Sequence, residues 1–398
     1  KELIARSKAA QAAFAFATQE QADAAARAIC KVVYDNAEKL GPMAAEESRM
    51  GSEQDKIAKC RNKSALIWES LKDKKSCDII NRIEERRMIE VAKPVGVVAS
   101  IIPSTNPVVT PMSNGAFALK CRNSVIFAPH PRAVKCTKLL VEMFRAELKK
   151  LGLPEDLVLG LEEVSNDLTS ELMSAADMVV ATGGMGMVKA AYSSGKPAIG
   201  VGQGNVQCII DEDADIADAV GKIIIGRAFD NGLICLGEQT VFVPEDKEAE
   251  FVAEMKKQGG YLVEGEENVD KLREGLFPGG GAFSRVVVGM FADQVSDEIG
   301  LGAPKGTRVL FAKAKALGAG DVLCREKLCP VIAYMTYKTF KEGVAMMEAN
   351  LEHEGKGHSI AVHSNTPENV EYAAIRCCVS RVVVNQPSGT TGGGSPTN

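Results

Sequence analysis

Cys235 sits in the stretch Phe229-Asp230-Asn231-Gly232-Leu233-Ile234-Cys235-Leu236-Gly237-Glu238-Gln239, polar and Gly-containing surroundings that set it apart from the chain's other cysteines. A thiolate is reached near neutral pH and adds to an aldehyde carbon, and the thiohemiacetal it forms can give up hydride to become a thioester, so this position suits covalent catalysis on a carbonyl. Asn106 lies in Ile102-Pro103-Ser104-Thr105-Asn106-Pro107, where two prolines hold the loop extended or turned. Its carboxamide fits two roles equally, a donor to a developing oxyanion or a cap on the helix that follows. Thr182-Gly183-Gly184-Met185-Gly186 joins an apolar run to a helical one; glycines there let backbone N–H groups approach a pyrophosphate. The segment Gly200-Val201-Gly202-Gln203-Gly204-Asn205 speaks by omission, because no Asp or Glu occurs between Asp177 and Asp211. A thioester on Cys235 would find no base there to activate water, which favours a thiol as the acyl acceptor.

The four histidines, His130, His353, His358 and His363, make no metal-ligand pattern. His130, in Pro129-His130-Pro131-Arg132, follows an apolar run and is a candidate for an adenosine or phosphate contact, and His358 is a candidate for the active-site tunnel. Cys377 and Cys378 sit in a helix-like run and read as structural.

The elements that must position these groups alternate regularly. Residues 1–75 read as helices, the first of them spanning about 2–40. Short apolar runs follow at 95–102, 124–128, 157–161, 178–182 and 198–201, with helical stretches between them at 132–151 and 185–194. Nearly all-apolar strands separated by helices predict an α/β fold with a doubly wound parallel sheet. A second set is expected at 207–211, 240–243, 285–289, 308–312, 331–335, 359–362 and 381–384. The pattern divides the chain into a cofactor domain over 1–206, with a hairpin near 80–93, and a catalytic α/β domain over 207–387. The tail, 388–398, is Gly, Ser, Thr and Pro, too poor in apolar residues to pack.

With 398 residues, 25% charge and a net charge of −5, the chain reads as an ordinary globular protein and not a nucleic-acid binder. No apolar run reaches the roughly 20 residues of a membrane span. Eleven cysteines without a CxxC or a paired framework point to a reduced, cytoplasmic protein.

Together these motifs, with Glu326-Lys327-Leu328-Cys329-Pro330-Val331 and Val384-Asn385-Gln386-Pro387, resemble the CoA-acylating branch of the aldehyde dehydrogenase superfamily over nearly the whole chain. The likeness is strongest to its succinate-semialdehyde and acetaldehyde group. The resemblance implies Cys235 as nucleophile, with Asn106 and the Cys235 backbone N–H as the oxyanion hole. It implies Thr182, Gly183 and Gly184 at the pyrophosphate of NAD or NADP, with Pro129, His130 and Arg132 also toward the cofactor and Glu326 on the nicotinamide ribose. Coenzyme A would be co-substrate, and a homodimer or higher homo-oligomer the assembly. Hydrolytic relatives carry a catalytic Glu where this chain reads Gly200-Val201. Alternatives are a hydrolytic aldehyde dehydrogenase and an inactive binding subunit of the same fold. The chain departs from the family in Leu236-Gly237, where small residues are expected, and in ending at the Gly-rich tail, beyond which relatives continue. An aldehyde with an anionic tail, such as succinate semialdehyde or sulfoacetaldehyde, would want a cation: Arg227 first, then Arg376 or Arg381. Acetaldehyde would want a small apolar pocket.

Overall fold

The computed structural model describes residues 1–390. The chain forms two compact units, one of Lys1–Arg49 and Glu53–Gly202, the other of Met50–Ser52 and the described residues from Gln203 onward.

The first unit opens with helices α1 (Glu2–Phe14), α2 (Gln19–Asp35), α3 (Ala37–Ser48) and α4 (Glu53–Leu71). The single long helix expected to residue 40 is therefore three, because two side chains punctuate it. The Thr18 hydroxyl accepts from the Gln21 N–H at 3.3 Å while Gln21 Oε1 accepts from the Thr18 N–H at 2.9 Å, a capping box that starts α2. Asn36 Nδ2 donates to Val32 O at 2.8 Å and closes it. A two-stranded antiparallel hairpin follows, β1 (Asp78–Ile83) with β2 (Met88–Ala92), turning through Arg87 at φ +52°.

Five parallel strands then build a sheet: β3 (Val97–Ile101), β4 (Ser124–Ala128), β5 (Val158–Gly160), β6 (Met178–Thr182) and β7 (Ala198–Val201), in the order β5-β4-β3-β6-β7. Helices α5 (Val109–Lys120), α6 (Val134–Lys150), α7 (Asn166–Ala175) and α8 (Met185–Tyr192) connect them. Strands β3 and β4 are buried along their whole length, which is why their runs are apolar without alternation. Val98, Val125 and Phe127 join one core cluster with α2, α5 and α6, while Val97, Ala99, Ile126 and Ala128 join another. The strand order reverses between β3 and β6, the place where open α/β sheets leave a crevice beyond the strand ends.

The second unit holds a seven-stranded parallel sheet of β8 (Val206–Ile210), β9 (Glu238–Pro244), β10 (Gly260–Leu262), β11 (Val309–Lys313), β12 (Val331–Tyr337), β13 (Ser359–His363) and β14 (Arg381–Val384). Their order is β10-β11-β12-β9-β8-β13-β14. Helices α9 (Ile216–Ala228), α10 (Glu248–Lys257), α11 (Glu266–Leu276), α12 (Ala292–Ile299), α13 (Phe340–His353) and α14 (Pro367–Arg376) complete it. The run 285–289, expected as a strand, is loop: Val287 packs into the core and Gly289, at φ +70°, donates its N–H to Leu328 O. The edge strand is the shorter β10 instead, whose three residues are too few to show a period. Both sheets are of the α/β class expected. Among the described residues no helix is long and apolar enough to cross a membrane.

Candidate active site

In the second unit the chain leaves α9 and passes through three consecutive left-handed residues, Asp230 (φ +50°), Asn231 (φ +52°) and Gly232 (φ +71°). Two non-Gly residues in that region store strain and persist only where the surroundings hold them. Here Asp230 Oδ1 accepts the Ser52 N–H at 3.2 Å, and Asn231 Nδ2 donates to Gly289 O at 2.9 Å; both side chains are buried. Gly232 admits no side chain, since a Cβ would stand 2.6 Å from the Cys329 backbone. Leu233 and Ile234 then enter the core, leaving Cys235 half-buried at the turn into β9. A bulge in the pairing of β8 with β9, between Val206↔Glu238 and Gln207↔Thr240, sits directly after this turn.

Gly204 is packed against the Cys235 segment: a Cβ there would lie 2.1 Å from Cys235 O. Its N–H donates to Glu326 Oε1 at 2.8 Å. Glu326 is only 8% exposed, and burial pushes its carboxyl up to about 7. The loop carrying it is fastened to the entry of β9. Gln239 accepts the Lys327 N–H at 3.0 Å, and its Nε2 donates to Lys327 O at 3.2 Å. Lys327 is fully buried, its ammonium donating to Leu323 O and Arg325 O, and burial pulls it down to about 7.

Arg227 corrects an expectation. It is 0% exposed, and its guanidinium donates to the carbonyls of Lys327 and Cys329, so it braces this loop and faces no acyl pocket. Arg376 is likewise occupied, paired with Glu348 on the surface. Arg381 opens β14 and pairs in register with Ser359, next to His358. Burial lowers its pKa, and its electrostatic interaction with Cys235 acts in the opposite sense. His358 is half-buried, its Nδ1 without a hydrogen-bond partner, and burial together with Arg381 lowers it to about 4, leaving the imidazole neutral. Cys377 is buried as expected of a structural residue, but Cys378, beyond the end of α14, is exposed.

In the first unit, β3 runs out into the loop of Asn106 and β6 into Thr182, Gly183 and Gly184, so both loops leave the sheet at its switch point. Gly184 is the N-cap of α8, and a Cβ on it would meet nothing within 4 Å. Gly183 donates its N–H to Val201 O at 3.1 Å. Beyond β4, Pro129 is buried while His130 and Arg132 are exposed; His130 Nδ1 accepts the Arg132 N–H at 3.1 Å. Asn106 does not cap α5: the N-cap is Val108, without a side-chain bond. Its Oδ1 instead accepts from Lys59 Nζ at 2.8 Å. Lys59 and Lys327 were not singled out by sequence, where a lysine reads as a solvated residue. A signal existed for Lys59, because Lys56, Lys59 and Lys63 continue the buried stripe of Ile67 and Leu71 along α4.

The second unit thus carries a half-buried thiol on a strained, pinned turn and a buried Glu326 carboxyl on the Gly204 N–H; the first carries, by itself, a Gly-rich helix start at a switch point. The aldehyde dehydrogenase family profile matches residues 1–271. A succinate-semialdehyde dehydrogenase (acetylating) of Clostridium kluyveri is 48% identical over 393 residues, covering 99% of this chain and 86% of the relative. A sulfoacetaldehyde dehydrogenase (acylating) of Bilophila wadsworthia is 39% identical, covering 96% of this chain and 83% of the relative. Among solved structures, a Rhodopseudomonas palustris propionaldehyde dehydrogenase with CoA bound and a cysteine acylated superposes with a TM-score of 0.86 at 27% identity, covering 99% of this chain and 90% of that one. By profile, by identity over nearly its whole length and by fold, the chain belongs to the aldehyde dehydrogenase family.

Proposed function

We propose that this chain converts an aldehyde, CoA and NAD or NADP reversibly into an acyl-CoA and the reduced cofactor. One observation carries the reading: Gly204 presses against the Cys235 carbonyl within a stretch that has no carboxylate of its own, so that stretch contributes no base for water. Cys235 Sγ adds to the aldehyde carbon, the C–S bond forms, and the carbonyl oxygen becomes an alkoxide. Asn106 Nδ2 and the Cys235 backbone N–H donate to that oxygen. The residues present fit a dinucleotide. The open Cα of Gly184 at the first turn of α8 leaves room for phosphate, and Glu326 offers a carboxylate for ribose hydroxyls. Thr182, Gly183 and Gly184 hold the pyrophosphate, with Pro129, His130 and Arg132 toward the adenosine. When bound, the nicotinamide supplies the acceptor for the hydride that leaves the former aldehyde carbon. The CoA thiolate then attacks the thioester and expels the Cys235 thiolate.

The substrate is a short aldehyde with an anionic tail, succinate semialdehyde or sulfoacetaldehyde, held by Arg381 with neutral His358 beside it. Support comes from the electrostatic interaction of Arg381 with Cys235 and from the names of the two relatives. The enzyme works in the cytoplasm as a homo-oligomer. Its eleven free thiols support a reducing compartment. Exposed Ile79, Ile80, Met88, Ile89 and Val91 on the β1–β2 hairpin support association with a second copy. Incubating the protein with aldehyde and NAD(P)⁺ but no CoA, then weighing peptides by mass spectrometry, tests the chemistry. An acyl adduct on Cys235 that disappears on adding CoA is expected; an adduct elsewhere, or none, would sink the reading.

A further inference from the structure

We infer that Lys59 is a positioning residue for Asn106, turning its carboxamide so that Nδ2 is the atom left to face the developing alkoxide. This rests on the reading of Asn106 as oxyanion donor given above. Lys59 is 3% exposed on the buried face of α4, where an ammonium is costly unless strong partners compensate. One partner is Asn106 Oδ1, at 2.8 Å. An ammonium has three donors and no acceptor, so it can face only the oxygen of the carboxamide. That contact settles which way the amide points, a choice that an isolated Asn leaves open. With Oδ1 occupied, the two hydrogens on Nδ2 project from the other side of Cγ. A cation on the oxygen also draws electron density from the nitrogen and makes its N–H groups better donors.

Both ends of the loop are held without the side chain. Prolines flank it at 103 and 107, Ile102 N–H donates to Ala128 O at 2.9 Å, and Asn106 O accepts the Thr110 N–H at 3.3 Å. The helix that follows takes nothing from the Asn106 carboxamide, since its N-cap is Val108. The Asn106 side chain takes no part in those bonds, and the contact that orients its carboxamide is the one with Lys59 Nζ. Reacting groups displaced by a single ångström lose rate steeply.

The test is a double-mutant cycle on the full chain, with Lys59→Met, Asn106→Ala and both together, alongside Lys59→Arg. The readouts are the single-turnover rate of NAD(P)H formation at saturating aldehyde, the aldehyde KM, and the melting temperature with and without cofactor. Asn106→Ala is expected to slow the first turnover by about 10²–10³-fold. Lys59→Met is expected to slow it by about tenfold or more with little change in KM, and the double variant to be no slower than Asn106→Ala alone. Lys59→Arg, which still donates to Oδ1, should recover part of the loss. Equal slowing by Lys59→Met with and without Asn106 would overturn the inference, because Lys59 would then act elsewhere. A wild-type rate for Asn106→Ala would instead overturn the oxyanion reading itself. Asn106→Asp probes the same contact without touching Lys59: it should melt at least as high as Asn106→Ala while losing as much rate. A lower melting temperature would contradict the pairing.

Discussion

At the scale of single residues, burial decides what each charged group does. Arg227 stands eight positions before Cys235 but points inward to two carbonyls, whereas Arg381, far along the chain, opens β14 beside Ser359 and interacts electrostatically with Cys235. Arg381→Gln is therefore expected to raise KM for succinate semialdehyde and sulfoacetaldehyde by about 10- to 100-fold, the worth of a charged hydrogen bond, while barely moving that for acetaldehyde. Steady-state kinetics on the three aldehydes checks this; an equal loss on all three would refute an anion-binding role. Glu326 gives a pH prediction. Burial raises its carboxyl from the ordinary 4.5 to about 7, so it takes up a proton as pH falls through 7 and loses acceptor capacity for ribose hydroxyls. NAD(P)H should bind more weakly below pH 7 than above it, and Glu326→Gln should flatten that dependence in a fluorescence titration. Cys235 and Asn106 drew attention in the sequence because each sits in a distinctive short motif, and Glu326 because of the family resemblance. The inward turn of Arg227 and the burial of Lys59 and Lys327 were not legible there, because side-chain direction is set by helix phase and by what packs above it.

At the scale of elements, the strands of both sheets were visible as apolar runs because they are buried on two faces, and the loops at their ends inherit position from them. The failures lie where local chemistry outweighs periodicity. Thr18 and Asn36 cut one expected helix into three, and the run at 285–289 packs one valine into the core without joining a ladder. The left-handed turn before Cys235 was legible only as an Asp-Asn-Gly string, while the partners that hold it, Ser52 and Gly289, come from distant segments. Gly204 shows how tightly the Cys235 loop is set, with no room for a methyl group beside the Cys235 carbonyl. Gly204→Ala should push that loop aside and lower kcat by about 100-fold or more, the cost of misplacing a reacting group. A melting curve close to wild type alongside the lost rate would locate the damage at the loop; unchanged kcat would contradict the close approach.

At the scale of the whole molecule, the chain is two parallel α/β units, one ending its switch-point strands in the Asn106 and Thr182–Gly184 loops, the other carrying the Cys235 turn. Its membership of the aldehyde dehydrogenase family leaves one chemical choice to the architecture, whether water or a thiol takes the acyl group. The absence of any Asp or Glu from 178 to 210 and the packing of Gly204 on the Cys235 loop favour the thiol. The direct test is NAD(P)H formation from succinate semialdehyde, sulfoacetaldehyde and acetaldehyde, each with and without CoA, for wild type and Cys235→Ala side by side. Turnover that requires CoA, is fastest on an anionic aldehyde and vanishes in Cys235→Ala is the predicted result. Sustained turnover to the free acid without CoA would contradict it.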